Sequence, residues 1–464
     1  MATIKRRRNS FSVVYNYIDE KGNKRQKWES YPTFEEAHKR RAEVEFKQDS
    51  GTFISPSSET VAEFMRDFVR LYGENRWGVS MYHNNTQLIE NYINPIMGNM
   101  PIQSITALEA DRIVQQLKKT PPVKCPTNNQ RGPYISTAQI EKICKLLKCA
   151  FGQAVRWEII SKNPFAYTIM PKVEHKKRDI WTAETIRVAL DNCDNAMLYV
   201  AINLAFACSL RIGEISGLTW DCVHISDVDI AADNASIYIE KELGRVSAEA
   251  MRILDQRDVI KVFDPVFRPA KQPKDPCTLL VLKKPKTESS IRRIWLPKTL
   301  AYILREWKDS QDKQKELLGP DYQDFGFVVA QPNGRPCEHK TIEDEFNRLK
   351  KKAGLLNVVF HSLRHSSTTY KLKLNHGDLK ATQGDTGHAQ IDMITQIYAH
   401  ILDEDRKVNA QRFESAFYAN PDLRQVKAPQ ENAQSTADVA ALIDQLRKSP
   451  ELAEVLAGIL TQNA

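Results

Sequence analysis

Hydrophobic positions recur at different spacings along this chain of 464 residues, and the changes in spacing predict four parts. Apolar residues alternate with polar ones in residues 1–55, recur at helical spacing in residues 60–172, and follow both patterns in residues 179–420. Residues 421–464 begin as a Pro/Gln/Asn/Ala linker and continue into two short amphipathic segments. We therefore predict a multidomain α and α+β protein: a small sheet domain, an all-α domain, a mixed α/β domain and a helical tail.

The first part is predicted to fold as a three-stranded sheet backed by one helix. Residues 11–15 alternate as a strand does, turn-forming residues follow at 19–23, and a second alternating stretch occupies 26–31. The motif at residues 33–36, Thr-Phe-Glu-Glu, has the form of a capping box, which predicts a helix running through Phe46.

Basic side chains on these strands are candidate DNA contacts. A basic sheet with interleaved aromatic residues can lie in a groove of duplex DNA. The alternative is a solvated sheet edge whose charges keep it soluble. The candidates are Arg6, Arg7, Arg8, Lys24, Arg25 and Lys27.

The second part is predicted to be helical, and the third to mix helices with strands. The first apolar stripe of the helical part is Val61, Phe64, Phe68 and Leu71. This part also has a polar face that carries Lys142, Lys145 and Lys148. The face either contacts a DNA backbone or is simply solvated. In the third part an apolar helix is predicted at 198–210 and strands at 236–240, 278–282 and 291–297. The long interval between the first two strands predicts an inserted loop at 244–276.

Composition is consistent with a DNA partner. Lys and Arg number 66 against 58 Asp and Glu, a formal charge of +8 that favours polyanions through counterion release. The eight cysteines include no Cys-x-x-Cys pair, so we expect reduced thiols rather than a disulfide framework or a zinc ribbon. Neither a signal peptide nor an apolar run long enough to span a membrane is evident, so we expect a cytoplasmic protein with no membrane partner.

Two arginines are the candidate phosphate ligands. Guanidinium groups bind phosphate oxygens in pairs and stay charged at any working pH, so two of them stabilise a phosphodiester under attack without a metal. Arg364 lies in His361-Ser-Leu-Arg364-His365, and Arg211 directly follows the apolar helix. Glu214, three residues beyond Arg211, is placed to orient it. The alternative is an ordinary helix pair of Arg211 and Glu214.

Lysine, histidine and tyrosine candidates complete the chemistry. Lys286 is predicted where one strand turns into the next, and as a general acid it would protonate a leaving 5′ oxygen. Tyr398 is a candidate nucleophile that needs help, from His361 or its neighbours, to lose its proton. A solvated lysine and a packing tyrosine are the alternatives. A zinc site at His361 and His365 is disfavoured, because no carboxylate lies between them and Arg364 would place a cation beside the metal.

Taken together, these segments resemble the tyrosine recombinases, or phage-type integrases. That family carries Arg, Lys, His-x-x-Arg, His or Trp, and Tyr in this order, and the Lys segment looks like the family's β-hairpin. The sequence departs from the common pattern in Cys208-Ser-Leu before the first arginine and in Thr386 before Gly-His. The six matching positions are Arg211, Lys286, His361, Arg364, His388 and Tyr398.

The resemblance implies an arm-type DNA-binding domain at 1–55, a core-binding domain at 60–172 and a catalytic domain at 179–420. It further implies that Tyr398 forms a 3′-phosphotyrosyl link, without metal, ATP or any other cofactor. A homotetramer would act on two double-stranded DNA attachment sites through a Holliday junction, with accessory DNA-bending or excision-directing proteins as further candidate partners. Residues 403–419 or the tail helices are candidates for exchange between subunits.

Three interpretations remain open from the sequence. The first is a mobile-element integrase, favoured by the N-terminal sheet. The second is a chromosome-dimer resolvase of the Xer type or a type IB topoisomerase, which share the chemistry. The third is a DNA-binding protein that has lost catalysis, against which the complete set of six residues argues.

Overall fold

The structure is a computed structural model that describes residues 2–18, 22–123, 132–171, 179–264, 276–375 and 380. The chain divides into two compact units, residues 1–389 and 390–464, and the described residues all belong to the first. His388, Tyr398, residues 403–419 and the predicted tail helices lie outside the described residues.

The N-terminal residues form the predicted sheet and helix. Three antiparallel strands lie in the order β1-β2-β3, and one helix, α1, packs against them. Thr33 Oγ1 accepts a hydrogen bond from Glu36 N at 3.3 Å, which fixes the start of the helix where the sequence predicts it. The helix continues three residues past Phe46. The elements are β1 (Thr3–Arg7), β2 (Ser10–Ile18), β3 (Lys24–Tyr31) and α1 (Phe34–Asp49).

One carboxylate joins this helix to the sheet. Glu29 on β3 accepts hydrogen bonds from Tyr15 Oη (2.7 Å), Tyr31 Oη (2.9 Å) and Arg40 Nε (2.8 Å). Burial acts to raise the pKa of Glu29, but these donors outweigh it and hold the pKa at about 2. The ionised carboxylate therefore fastens α1 to β3 throughout the neutral and mildly acidic range.

The second part is helical, as predicted. Two π-helical turns, Phe68–Gly73 and Ile89–Ile93, continue its first and third helices. Their wider spacing moves the inward face by one residue, so Tyr72 stacks on Phe68 at 5.0 Å. Leu71, predicted to be in the core, is consequently 54% exposed. The helices are α2 (Val61–Asp67), α3 (Glu74–Arg76), α4 (Val79–Leu88), α5 (Asn94–Met97), α6 (Ala107–Leu117) and α7 (Thr137–Arg156).

The segment between the first two parts lies along the helical part. The Gln103 side-chain amide donates to the backbone oxygens of Ser55 (2.9 Å) and Ile159 (3.1 Å). Its oxygen accepts a hydrogen bond from Ser57 N at 3.1 Å. One side chain thus holds the predicted linker against the helical part.

The third part combines helices with two small antiparallel sheets, in the orders β4-β5-β9 and β6-β8-β7. None of the helices formed by the described residues is both long and apolar enough to cross a membrane. The strands are β4 (Val223–His224), β5 (Ser236–Ile239), β6 (Glu242–Ser247), β7 (Val259–Phe263), β8 (Thr278–Lys283) and β9 (Arg292–Trp295). The helices are α8 (Ala183–Asp191), α9 (Ala196–Ala207), α10 (Ile212–Gly217), α11 (Asp227–Ala231), α12 (Ala248–Ile253), α13 (Lys298–Leu318), α14 (His339–Lys352) and α15 (Ser362–Leu374).

The interval predicted as an inserted loop contains regular structure. It carries most of β6, all of α12 and all of β7, and β6 and β7 flank β8. Val246, Met251 and Leu254 pack into the hydrophobic core of the helical part. Arg257 also donates to the backbone oxygen of Trp77 at 3.4 Å. The insertion therefore attaches the third part to the second.

Lys286 does not lie in a β-hairpin turn, contrary to the prediction. The strands on either side of it belong to different sheets. In the register of these strands residues 284–291 lie opposite Glu240 and Lys241, and Lys284 N donates to Asp258 O at 2.9 Å. Pro285 has no N–H to donate to a ladder, and Ser290 N donates to Thr287 O within a 3₁₀ turn. The segment therefore leaves the ladder as a long bulge between the sheets.

Candidate active site

Arg364 is buried at the N-terminal end of α15. It is 2% exposed, and its Nη1 donates to the backbone oxygen of Ser209, just before α10. Burial, together with the neighbouring charges of Arg211 and Arg292, lowers the pKa of Arg364 to about 9. A bound anion would favour the charged form of this guanidinium, as the neighbouring carboxylate of Glu214 already does.

Ser209 holds the strained turn that receives Arg364. Its φ of +54° lies in the left-handed region, where a side chain is disfavoured and glycine is not. Its hydroxyl lies 2.6 Å from that of Ser367 on α15. The serine hydroxyl gives this turn a second bond to α15, beside the one from Arg364.

Arg211 is held by a buried carboxylate. Glu214 Oε2 accepts from the backbone N–H of Arg211 at 2.9 Å, and Glu214 Oε1 accepts from Arg211 Nη1 at 2.8 Å. Glu214 is 1% exposed, whereas a third of the Arg211 side chain is exposed. Arg211 and Glu214 are therefore more than a solvated helix pair. The buried Glu214 carboxylate fixes the position of the Arg211 guanidinium at the protein surface.

A third arginine, which the sequence reasoning missed, completes the cluster. Arg292 on β9 is 9% exposed and donates to both oxygens of Glu214, at 3.2 and 3.1 Å. The alternation of β9 indicates this burial. Arg292 lies two and four residues before the buried Ile294 and Leu296, and therefore points to the same face of the strand. Burial raises the pKa of Glu214, but the charges and hydrogen bonds of Arg292 and Arg211 lower it below its usual range. Among the residues that the structure describes, this cluster sets three guanidinium charges against one carboxylate, a formal +2.

His361 lies directly before α15, and His365 lies one turn into it. Their ring centroids are 5.0 Å apart and the rings are nearly perpendicular. Within the described parts of the chain, the acid and thiol group that could hold a metal is elsewhere, at Asp221, Cys222 and Glu240. The Lys241 ammonium lies 2.7 Å from Asp221 Oδ2 and 3.4 Å from Glu240 Oε1. The two carboxylates of this group are therefore already paired with a cation of the protein.

Lys286 is exposed and lines a cleft of about 760 Å³ between the helical part and the bulge. Lys142 and Lys145 of α7 line the same cleft. Amide side chains also line it: Asn84, Asn85, Gln87, Asn91 and Gln139. The structure thus brings Arg211 and Arg364 together around Glu214, and places Lys286 on the wall of a basic, amide-lined cleft.

Two protein-family models match the chain. One, described as the phage integrase family, matches residues 275–405, and the other, described as the N-terminal SAM-like domain of phage integrases, matches residues 60–118. The chain belongs to the phage integrase family of tyrosine recombinases. The first match spans five of the six predicted catalytic positions, all except Arg211.

Characterised relatives and a solved structure agree with this assignment. The recombinase is 24% identical over 330 residues to a tyrosine recombinase XerC-like protein of Caldanaerobacter subterraneus, covering 69% of this chain and 73% of the relative. It is 23% identical over 340 residues to the ICEBs1 integrase of Bacillus subtilis, covering 72% and 77%. The Tn1549 transposon integrase, solved with a circular intermediate DNA, has the same fold, with a TM-score of 0.56 at 20% identity over 77% of this chain and 100% of that one.

In this recombinase the six N-terminal candidates do not share one face of the sheet. Trp28 lies on the face away from α1, where Lys5 Nζ is 4.7 Å and Arg7 Cζ 5.2 Å from the centroid of its ring. The strand register places Lys24 on this open face with them. Arg6, Arg25 and Lys27 fall on the alternate, α1-facing phase of the strands, and Arg8 lies in the turn between β1 and β2.

Proposed function

We propose that this enzyme integrates or excises a mobile element by cutting and rejoining double-stranded DNA at attachment sites. The observation that carries the proposal is the cluster of three arginines near the buried carboxylate of Glu214. A phosphodiester is an anion that guanidinium groups bind, and attack on it increases its negative charge. Such a cluster binds the reacting phosphate more tightly as the transition state forms.

The six residues are assigned the following roles. Tyr398 gives up its proton with the help of His361 or its neighbours and attacks the scissile phosphorus. The bond from phosphorus to the 5′ oxygen breaks as a 3′-phosphotyrosyl link forms. Arg211 and Arg364 bind the non-bridging oxygens, and His361 and His388 add hydrogen bonds. Lys286 donates a proton to the leaving 5′ oxygen. The 5′-hydroxyl of a partner strand then reverses the step, so the link conserves bond energy and neither ATP nor metal is required.

The cleft beside Lys286 supports a path for the duplex. Lys142 and Lys145 neutralise backbone phosphates, and the amides offer donors and acceptors to base edges. On this proposal the helical part, 60–172, is the core-binding domain, 179–420 is the catalytic domain, and 1–55 binds arm-type sites. The solved Tn1549 integrase complex contains a circular intermediate DNA, which is consistent with a duplex substrate.

We further propose a homotetramer on two sites, passing through a Holliday junction, with residues 403–419 or the tail helices exchanged between subunits. Accessory DNA-bending or excision-directing proteins would set the direction of the reaction. Truncation after residue 420 separates the two candidates for exchange, since a synaptic tetramer that survives it excludes the tail helices.

Covalent capture tests the proposal. The protein is incubated with a nicked suicide duplex carrying the attachment core of its element, in buffer with EDTA, and resolved on a denaturing gel. We expect a DNA-linked protein band with wild type and none with Tyr398→Phe, because only the phenol oxygen forms the link. Absence of the band on a duplex that the protein binds would contradict the proposal and favour a DNA-binding protein without catalysis.

The open face of the N-terminal sheet gives a separate prediction. Trp28→Ala removes the ring under Lys5 and Arg7, so both cations lose their fixed direction and the face loses an aromatic contact. We expect binding to weaken about tenfold, or about 1.4 kcal/mol, for duplexes from the element ends that carry arm-type sites. Binding to the core duplex should not change. Fluorescence anisotropy at fixed salt measures both.

Phe46→Ala is the matched control for Trp28→Ala. Phe46 is an aromatic residue of the same domain, 72% exposed on α1. We expect this variant to bind arm-type duplexes as wild type does. Equal weakening by the two variants would show that the open face is not the contact surface.

A further inference from the structure

We infer that Arg292 is a positioning residue that holds Arg211 and the Lys286 segment in one fixed arrangement. The inference rests on the proposed function and deepens it. Arg292 is not placed to touch DNA, because it is buried beneath the cluster. It acts through two neighbours, Glu214 and Ser290.

The first connection runs from Arg292 to Arg211. Both Arg292 terminal nitrogens donate to the Glu214 carboxylate, and the same carboxylate accepts from the backbone and side chain of Arg211. A planar fork on two oxygens fixes orientation as well as distance. The direction of the Arg211 guanidinium therefore depends on Arg292, although the two arginines lie on different elements.

The second connection runs from Arg292 to the bulge. Arg292 Nη1 also donates to the backbone oxygen of Ser290 at 2.9 Å. Ser290 closes the 3₁₀ turn that follows Lys286, and its hydroxyl lies 2.9 Å from Thr287 Oγ1. Since residues 284–291 have left the strand ladder, this bond is one of the attachments that replace it. The position of the general acid therefore depends on the same guanidinium.

Close packing also ties the position of α10 to the start of β6, which lies next to the bulge. A Cβ at Gly217 would lie 2.7 Å from Glu242 Cα, so the helix that begins after Arg211 sits directly on the start of β6. Glu240 and Lys241, opposite the bulge, immediately precede β6. Arg292 thus lies where the phosphate-binding helix, the two sheets and the bulge meet, and one side chain can align all of them.

Modified substrates separate the two connections. A 5′-bridging sulfur leaves as a thiolate without needing a proton, so it relieves dependence on Lys286. A methylphosphonate replaces one non-bridging oxygen by a methyl group, so it relieves dependence on the arginines. Arg292→Lys keeps a buried cation but loses the fork. We expect Arg292→Lys to slow cleavage of the ordinary suicide substrate about 100-fold relative to wild type. On each modified substrate the cleavage rate of the variant relative to wild type should rise about tenfold.

Arg293→Lys is the matched control. Arg293 is the next residue on β9 but faces solvent, 5.6 Å from the Trp295 ring, and its variant should cleave as wild type does. Cleavage of the ordinary substrate by Arg292→Lys at the Arg293→Lys rate would overturn the inference. The same loss on all three substrates would also overturn it, since Arg292 would then only support the fold. A wild-type band that Tyr398→Phe lacks shows that the proposed function holds whichever result is found.

Discussion

Arg364→Met is expected to slow cleavage of the suicide substrate about 1,000-fold without lowering the unfolding temperature. The methionine chain is unbranched, apolar and flexible, so it fills the space of the aliphatic part of the arginine. Losing the bond to Ser209 O costs about 1 kcal/mol. Removing a buried cation beside Arg211 and Arg292 offsets that cost, because burial and these charges already disfavour the charged form of Arg364, as its lowered pKa shows.

The comparison variant for this prediction is Arg348→Met. Arg348 on α14 is mostly exposed and pairs with Glu345, so we expect neither activity nor stability to change appreciably. Burst cleavage rates and differential scanning fluorimetry measure the two quantities on the same preparations. A large fall in unfolding temperature with cleavage retained would mean that Arg364 supports the fold rather than the phosphate.

A loss of rate without a loss of stability follows from how the cluster is built. A site that binds a dianionic transition state must hold like charges together before substrate arrives, and this lowers the stability of the free protein. The strained backbone of Ser209, bonded to Arg364, belongs to the same arrangement. Selection for chemistry therefore opposes selection for stability at these residues.

Periodicity and apolar runs predicted the main elements correctly in several segments. The N-terminal sheet with its helix, the apolar helix before Arg211 and the three strands of the third part occur close to their predicted positions. The predicted multidomain α and α+β class and the tyrosine recombinase family are confirmed. In these segments local preference and burial agree, so the pattern alone determines the element.

The failures have two physical causes: a local change of helix type in the second part, and contacts between segments distant in sequence in the third part. A regular α-helical period predicts Leu71 in the core, whereas the π turn moves it outward. The long interval predicts a loop, whereas pairing with β8 makes β6 and β7 strands. The hairpin prediction for Lys286 is wrong, because spacing does not record which strands pair with one another.

Some residues of the candidate site could be predicted from the sequence, and Arg292 could not. Residue order identified Arg211, Lys286, His361 and Arg364 through the family resemblance, and Glu214 was correctly expected beside Arg211. Arg292 was not recognised as part of the site, because a single arginine in an alternating strand has no chemical signature until its partner is known. Buried phase is the signal that could have revealed it, since a charge on the inward face of a strand requires a counter-charge.

Glu214→Gln is expected to lower the free energy of unfolding by about 3–5 kcal/mol, because it leaves the arginines of the cluster without their carboxylate. Glutamine retains one acceptor oxygen, but its NH₂ group points donors at guanidinium donors. Sulfate should restore part of the loss by supplying an anion near Arg211 and Arg364, whereas chloride at equal ionic strength should not. Chemical denaturation in the two salts measures the difference.

Two further results decide whether the Glu214 charge itself stabilises the fold. Glu240→Gln, at a more exposed carboxylate beside β6, should change stability by less than about 1 kcal/mol. The lowered pKa of Glu214 means that its stabilisation is complete above the usual glutamate range and is lost as pH falls through the folded-state pKa. Wild type should therefore lose stability on acidification more steeply than Glu214→Gln. Parallel acid profiles, or equal losses in sulfate and chloride, would mean that the carboxylate packs between the arginines without neutralising them.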